Sequence, residues 1–276
     1  MELDLTNGIG ETDQYKAWVF PGGEIHLRLK YGYHSDVNIK ARLNSSQDIM
    51  LLILAIDTIK KDENGIKINL FLPYMPYQQA DRNFGYGECF SLKTMCNLLN
   101  SMELNKVTIY DAHSDVTPAL LNNSIVIDNS DYITKVLQHL AVKEEDLIIL
   151  SPDAGAYKKI FKLCEKIGFK GQIESCSKTR EHGTEKPTVK VPAFDKEKSV
   201  LIIDDICLGG RTFIDIASKI ENKCYLAISH GVFDSGGYGD PVPALIEAFD
   251  GIYSSNSRKD VAPESGNGKI TIIDIF

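Results

Sequence analysis

Short apolar runs alternate along this chain with longer stretches in which apolar residues recur at helical spacing, the pattern of strands interleaved with helices. The first half predicts a short strand around Val19, a strand at Ile25–Leu29, a helix over 49–59, a buried strand over 66–72, a helix over 91–102 and a strand at Lys106–Tyr110. Ser46 and Asp48 offer N-cap chemistry ahead of the first of these helices. The second half repeats the order, with a helix over 131–140, a strand over 147–150, a helix at Ala154–Ile167, a possible strand at Gln172–Ser175 and another over 200–203. Segments 214–220, 225–229, 243–249 and 270–275 complete the series. Such alternation builds βαβ units on a mostly parallel sheet. A break near 120–130 separates halves of similar length and pattern, so the expectation is two α/β domains, 1–128 and 129–276. Irregular stretches at 77–90, 176–199 and 232–242 are long for a compact domain, as functional loops tend to be.

Composition narrows the function classes. At 276 residues the chain is long enough for two compact domains or one large one, and its 43% apolar content can bury a proper core. A formal net charge of −8 argues against a nucleic-acid partner, whose phosphates call for clustered Lys and Arg. No apolar run approaches the ~20 residues of a membrane span, so no membrane partner is expected. The opening MELDLTNGIGETDQ is acidic and polar, unlike a secretory leader. Six Cys without C-x-x-C spacing read as buried free thiols, and the expected compartment is the cytoplasm.

Five segments carry candidate chemistry. Val200 to Phe213 reads VLIIDDICLGGRTF: a strand ending in Asp204 and Asp205, a loop with Gly209 and Gly210, then a helical pattern. Adjacent carboxylates at a strand's C-terminal edge suit a ribose diol or a divalent cation. Backbone N–H groups of a glycine loop before a helix suit a phosphate. The two together describe a sugar phosphate, against the plainer reading of two surface acids closing a strand. Asp111-Ala112-His113 follows VTIY and puts a carboxylate and an imidazole on one face, for a cation or triphosphate or for a structural hydrogen bond. SPDAGA at 151–156 places Asp153 either at a catalytic edge or as a helix cap. Lys178-Thr179-Arg180 is either a solvated charge run or a pair of cations on a loop closing over a triphosphate. The loop PYMPYQQADRNFGYGE, with Asp81 and Arg82, either frames a planar base and its phosphates or is a surface loop of satisfied tyrosines.

Taken in order, these segments resemble the ribose-phosphate diphosphokinases, also called phosphoribosyl pyrophosphate synthetases, through nearly the whole chain. FPGGE at 20–24 is similar to the family's F-x-[DN]-G-E adenine-site motif, and PYMPYQQADR at 73–82 to P-Y-x-x-Y-x-R-Q-D-[RK]. YDAHSD at 110–115 resembles D-L-H-[AS], SPDAGA resembles P-D-x-G, and KTR at 178–180 matches the catalytic-loop K-x-R. The segment at 204–212 resembles the acceptor loop D-D-x-x-[DE]-[TS]-x-G-T, while SHGVF at 229–233 and SSNS at 254–257 resemble T-H-G-x-F and T-N-[ST]. The resemblance implies an α/β fold of two type I phosphoribosyltransferase-like domains, each a mostly parallel sheet flanked by helices, the first on the ATP side and the second on the ribose-phosphate side. It also implies Mg²⁺, a homo-oligomer, and transfer of the diphosphate of ATP to the anomeric C1 hydroxyl of ribose 5-phosphate, with AMP released.

Carried over position by position, the resemblance assigns Phe20, Gly22, Glu24, Gln79, Asp81, Arg82 and His113 to ATP. Asp153, Asp204, Asp205, Gly209, Gly210, Arg211 and Thr212 go to the ribose phosphate, His113 and Asp153 to Mg²⁺, and Lys178 and Arg180 to catalysis. Departures cluster in two loops. The family's acid, hydroxyl and second small residue fall on Leu208, Gly209 and Arg211, which makes the acceptor loop friendlier to anions. Its Arg-Gln pair falls on Gln79-Ala80, and its Asp or Asn on Gly22. Those departures keep three alternatives open: the same chemistry on ADP-ribose, a base phosphoribosyltransferase, and a non-catalytic regulatory homologue.

Overall fold

The protein is described by a computed structural model covering residues 1–33, 35–62, 65–83, 85–179 and 188–276. It folds as two compact units, Met1–Asp128 and Asn129–Phe276. The N-terminal unit runs β1 (Glu2–Asp4), β2 (Gly10–Glu11), β3 (Tyr15–Val19), β4 (Ile25–Leu29), β5 (Val37–Lys40), α1 (Ser46–Asp62), β6 (Ile68–Leu72), α2 (Ser91–Ser101), β7 (Lys106–Tyr110), α3 (Val116–Leu120) and β8 (Ser124–Ile127). Five of these strands form a parallel sheet in the order β1-β5-β6-β7-β8. Its core joins Leu70, Leu72 and Ile109 of the sheet to Leu52, Ala55 and Ile56 of α1 and to Leu92, Met95 and Leu99 of α2. Strands β2, β3 and β4 make a separate antiparallel meander, a departure from a purely parallel plan.

Helix α1 begins earlier than its apolar run suggests. Ser45, not Ser46, is the capping side chain: its Oγ accepts the Asp48 N–H at 3.2 Å, and Asp48 reaches back to the Asn44 N–H at 3.1 Å. The Ser45 hydroxyl thus satisfies one N–H that the first turn would otherwise leave without a helical partner, while Asp48 ties down the Asn44 N–H just ahead of the helix.

The C-terminal unit continues with α4 (Ser130–Leu140), β9 (Leu147–Ser151), α5 (Ala154–Ile167), β10 (Gln172–Ser175), β11 (Ser177–Thr179), β12 (Thr188–Lys190), β13 (Ser199–Cys207), α6 (Arg211–Ala217), β14 (Cys224–Gly231), α7 (Val242–Ala248), β15 (Gly251–Ser255) and β16 (Ile270–Ile273). Its sheet is parallel throughout, in the order β10-β9-β13-β14-β15-β16. Strand β9 is buried along its whole length, as a central strand covered on both faces must be. Two expectations change here. The stretch after 176 is not wholly irregular, because β11 and β12 pair antiparallel within it. The strand expected over 200–203 runs nine residues to Cys207 and carries Asp204 and Asp205 inside the ladder, not beyond its end.

The chain leaves β9 toward β10 on one side, then returns to build β13 to β16 on the other. The C-terminal ends of β9 and β13 therefore flank a topological switch, the place where open α/β sheets bind ligands. All six cysteines are free; Cys89 is exposed and the other five are buried. Among the described residues no helix is long and apolar enough to cross a membrane.

Candidate functional site

Around the β9–β13 switch the fold gathers three acids. Asp153 follows β9 and caps α5, its Oδ1 accepting the N–H groups of Gly155 at 2.9 Å and Ala156 at 3.0 Å. Asp204 and Asp205 lie near the end of the neighbouring strand β13, Asp204 half-buried and Asp205 buried. Burial pushes the Asp204 carboxyl well above the usual carboxylate range, and the charges of Asp205 and then Asp153 push it the same way. The Asp205 N–H, donating to Asp204 Oδ1 at 2.9 Å, partly offsets this. Concentrated negative charge of this kind calls for hydroxyl donors or a cation.

The strand then gives way to the loop 208–210 and helix α6. Gly210 is left-handed at φ +68°, and a Cβ there would stand 2.5 Å from Leu245 Cδ2, so only glycine fits. No side chain caps α6, and Arg211 and Thr212 in its first turn are exposed, as is Leu208. Two residues separate the acid pair from the expected phosphate loop, which exposes Leu208, Arg211 and Thr212, while Gly210 is buried.

Lys178 has its backbone in β11, opposite Val189 of β12. Arg180 lies outside the described residues.

In the N-terminal unit, the loops after the adjacent parallel strands β6 and β7 converge. Asp81 is buried and takes both the Nε (2.7 Å) and an Nη (3.2 Å) of Arg82, whose side chain remains largely exposed. Arg82 holds the Asp81 carboxyl below its ordinary range against the opposing effect of burial, with smaller help from Ser114 and His113. Gln78, fully buried, accepts the His113 backbone N–H at 3.0 Å. Asp111 begins that loop in a left-handed conformation at φ +44° and is 1% exposed. Gln79 points to the surface. Gln79, which the resemblance assigns to ATP, is thus exposed beside a buried Gln78, a difference that two adjacent glutamines do not reveal in sequence.

FPGGE forms the turn between β3 and β4, closed by the Phe20 N–H to the Glu24 carbonyl at 2.8 Å and the Gly23 N–H to the Phe20 carbonyl at 2.8 Å. The exposed Phe20 ring meets Trp18 edge-on at 5.8 Å and His26 at 5.6 Å. Trp18 and His26 are cross-strand partners that the motif alone does not include. Their two-residue offsets from Phe20 and Glu24 are the signal that places them on the same ribbon face.

Among the described residues no group of three or more His, Cys, Asp or Glu side chains is arranged to hold a metal ion. Mg²⁺ keeps several waters and takes one or two carboxylates alongside substrate phosphates. The oxygen-rich acid pair at Asp204 and Asp205 fits that demand, and the imidazole of His113 fits it less well.

No protein-family model matches the chain. Curated relatives do. The ribose-phosphate pyrophosphokinase of Sulfurisphaera tokodaii is 26% identical over 269 residues, covering 93% of this chain and 87% of the relative. That of Thermococcus kodakarensis is 27% identical over 276 residues, covering 95% and 94%. Phosphoribosylpyrophosphate synthetase from Mycobacterium smegmatis superposes with a TM-score of 0.78 at 21% identity, over 95% of this chain and 86% of that one, and so shares its fold. Along nearly its whole length, then, this chain is similar to ribose-phosphate pyrophosphokinases, and it shares the fold of a phosphoribosylpyrophosphate synthetase.

Proposed function

We propose that this protein transfers the β,γ-diphosphate of ATP to the anomeric hydroxyl of ribose 5-phosphate, giving phosphoribosyl pyrophosphate and AMP. One observation carries the reading: the acid pair Asp204–Asp205 stands at the topological switch beside Asp153, with two residues between it and the segment 208–212 that exposes Arg211 and Thr212. Asp204 and Asp205 hold the ribose 2′- and 3′-hydroxyls, whose donated protons relieve the crowding of charge that raises the Asp204 carboxyl. Backbone N–H groups over 209–212, the Thr212 hydroxyl and Arg211 take the 5-phosphate.

In the N-terminal unit, Phe20 and Glu24 meet the adenine, and Arg82 meets the phosphates. Gln78 holds the His113 backbone in place for the triphosphate. Mg²⁺ would be held in the C-terminal unit by oxygens of the Asp204–Asp205 pair with water and phosphate oxygens, and would neutralise charge on the phosphates. The C1 hydroxyl oxygen forms a bond to the β-phosphorus as the bond from that phosphorus to the α,β-bridging oxygen breaks. The hydroxyl proton passes to solvent and AMP carries away the bridging oxygen. Lys178 and Arg180 stabilise negative charge on the transferring group and on AMP. Such transfers depend on positioning and electrostatics, so no strong general base is required.

A second acceptor is favoured by one feature. Arg211 is exposed where the family carries a small residue, and Leu208 is exposed where it carries an acid, which suits a diphosphate-linked ribose such as ADP-ribose. Purified protein with ATP, Mg²⁺ and either ribose 5-phosphate or ADP-ribose should release AMP with one of them, and the product mass identifies the acceptor. Absence of AMP with both acceptors would defeat the reading and leave a regulatory homologue.

A further inference from the structure

The C-terminal unit holds a buried polar knot where β14 and β15 end, built from residues to which the transfer chemistry gives no role. Ser229, His230, Ser255 and Ser257 are all at 1% exposure or less. The Ser229 carbonyl accepts two hydroxyls, those of Ser255 and, at 3.0 Å, Ser257. Ser255 Oγ also takes the Ser257 backbone N–H at 3.2 Å, and Asn129 donates to Ser229 Oγ at 2.9 Å. A carbonyl can only accept, so the single Ser257 hydroxyl proton is committed to Ser229. The contact of Ser257 Oγ with His230 Nδ1, at 2.9 Å, must then be an Nδ1–H donating to the hydroxyl oxygen. His230 is thereby fixed as the Nδ1–H tautomer, with Nε2 the acceptor when the ring is neutral.

The backbone immediately after His230 is wedged between two strands. Ile206 and Cys207 of β13 stand opposite His230 and Gly231 in register. The Cys207 carbonyl, the last fixed point before the loop 208–210, takes the N–H groups of Val232 at 2.9 Å and Phe233 at 3.2 Å. On the other side the Gly231 N–H donates to Ser254 Oγ at 3.0 Å. A Cβ on Gly231 would stand 2.4 Å from both the Phe233 ring and Ser254 Oγ, so this position admits no side chain. Phe233 itself is left-handed at φ +50°, a conformation that persists in a non-glycine residue only where its surroundings hold it.

We propose that His230 is a positioning residue: as its Nδ1–H tautomer, tied through Ser257 to the segment that follows β15, it fixes the end of β14 and with it the Cys207 carbonyl from which the acceptor loop departs. This rests on the reading of residues 208–212 as the acceptor loop. The prediction is a split in kinetics, because the knot bears on one substrate's loop and not on the ATP motifs.

The test combines ¹⁵N NMR of the wild-type imidazoles with steady-state kinetics on ribose 5-phosphate, and on ADP-ribose in a second arm. The expected spectrum shows the neutral imidazole of His230 carrying its proton on Nδ1. Ser257→Ala and His230→Phe should each raise the KM for the acceptor about tenfold with the KM for ATP within about twofold, the range that small misplacements produce. His230→Asn, whose amide N–H reaches the place of the Nδ1 proton, should stay near wild type. An Nε2–H tautomer in the wild type overturns the inference, as does an acceptor KM that does not move or that moves together with the KM for ATP. If His230→Phe does not fold, Ser257→Ala and the wild-type spectrum decide. A wild type that turns over neither acceptor removes the loop's role and the inference with it, whereas a competent wild type with an insensitive acceptor KM removes the inference alone.

Discussion

Gly210→Ala is the sharpest probe of how this fold shapes the loop 208–210. The residue sits at φ +68°, and an added Cβ would meet Leu245 Cδ2 at 2.5 Å, Cγ at 2.9 Å and Cδ1 at 3.0 Å. The left-handed backbone alone costs an alanine ~1–2 kcal/mol. Forcing a methyl against a fully buried leucine adds ~1–3 kcal/mol, because a close-packed interior relaxes only in part. The sum, about 2–5 kcal/mol, would appear as lost hydrogen-exchange protection in peptides from α6, α7 and the end of β13, read by mass spectrometry at the working pH. Leu245→Ala separates the two contributions. By itself it should cost ~2–5 kcal/mol as a cavity. Combined with Gly210→Ala it also removes the clash, so the pair should be less destabilising than the sum of the singles by ~1–3 kcal/mol. Costs that add to within ~0.5 kcal/mol would mean that Leu245 does not confine position 210, and the packing argument would fail.

Other expectations rest on single groups. Asp204 carries a carboxyl raised by burial and by Asp205, so its contribution to stability is fully present below the unfolded value and is lost as pH rises through the folded one. Metal-free protein should therefore lose ~1.4 kcal/mol per pH unit inside that window, and Asp204→Asn should flatten the slope and stabilise the neutral-pH protein; an unchanged slope refutes it. Ser45→Ala removes the α1 cap and should cost ~1 kcal/mol in thermal or urea unfolding followed by Trp18 fluorescence, with no effect telling against the capping geometry. Asp153→Asn keeps a good cap for α5 while deleting the charge, so it should hold stability and lose turnover; Asp153→Ala should lose both, with ~1 kcal/mol from the cap, and equal activity in Asn and wild type would leave Asp153 a cap and nothing more. Lys178→Ala should leave a folded protein with turnover down about a hundredfold or more, measured as AMP release, and wild-type turnover would refute the catalytic role.

Elements with strong periodicity could be read from the chain alone. Ala154–Ile167 and Lys106–Tyr110 stand where their patterns put them, because a long amphipathic run or a dense apolar run outweighs any tertiary influence. Strands β1, β5 and β8 were not legible. They span three or four residues, and in β8 three of four face solvent, so pairing with neighbours makes the strand where composition does not. The β11–β12 pair was hidden in the same way, inside a charged stretch read as loop.

The acid pair is the instructive case. Two adjacent carboxylates read as a strand terminator, since an isolated segment gains nothing by extending through them. Strand β13 extends because β14 supplies ladder partners as far as Cys207. That extension draws the acids into partial burial and raises the Asp204 carboxyl. The sheet thus converts a local stop signal into a charged strand edge. The residue types told which chemistry to look for, and the parallel neighbours determined how strongly Asp204 and Asp205 would demand a ligand that brings hydroxyls or positive charge.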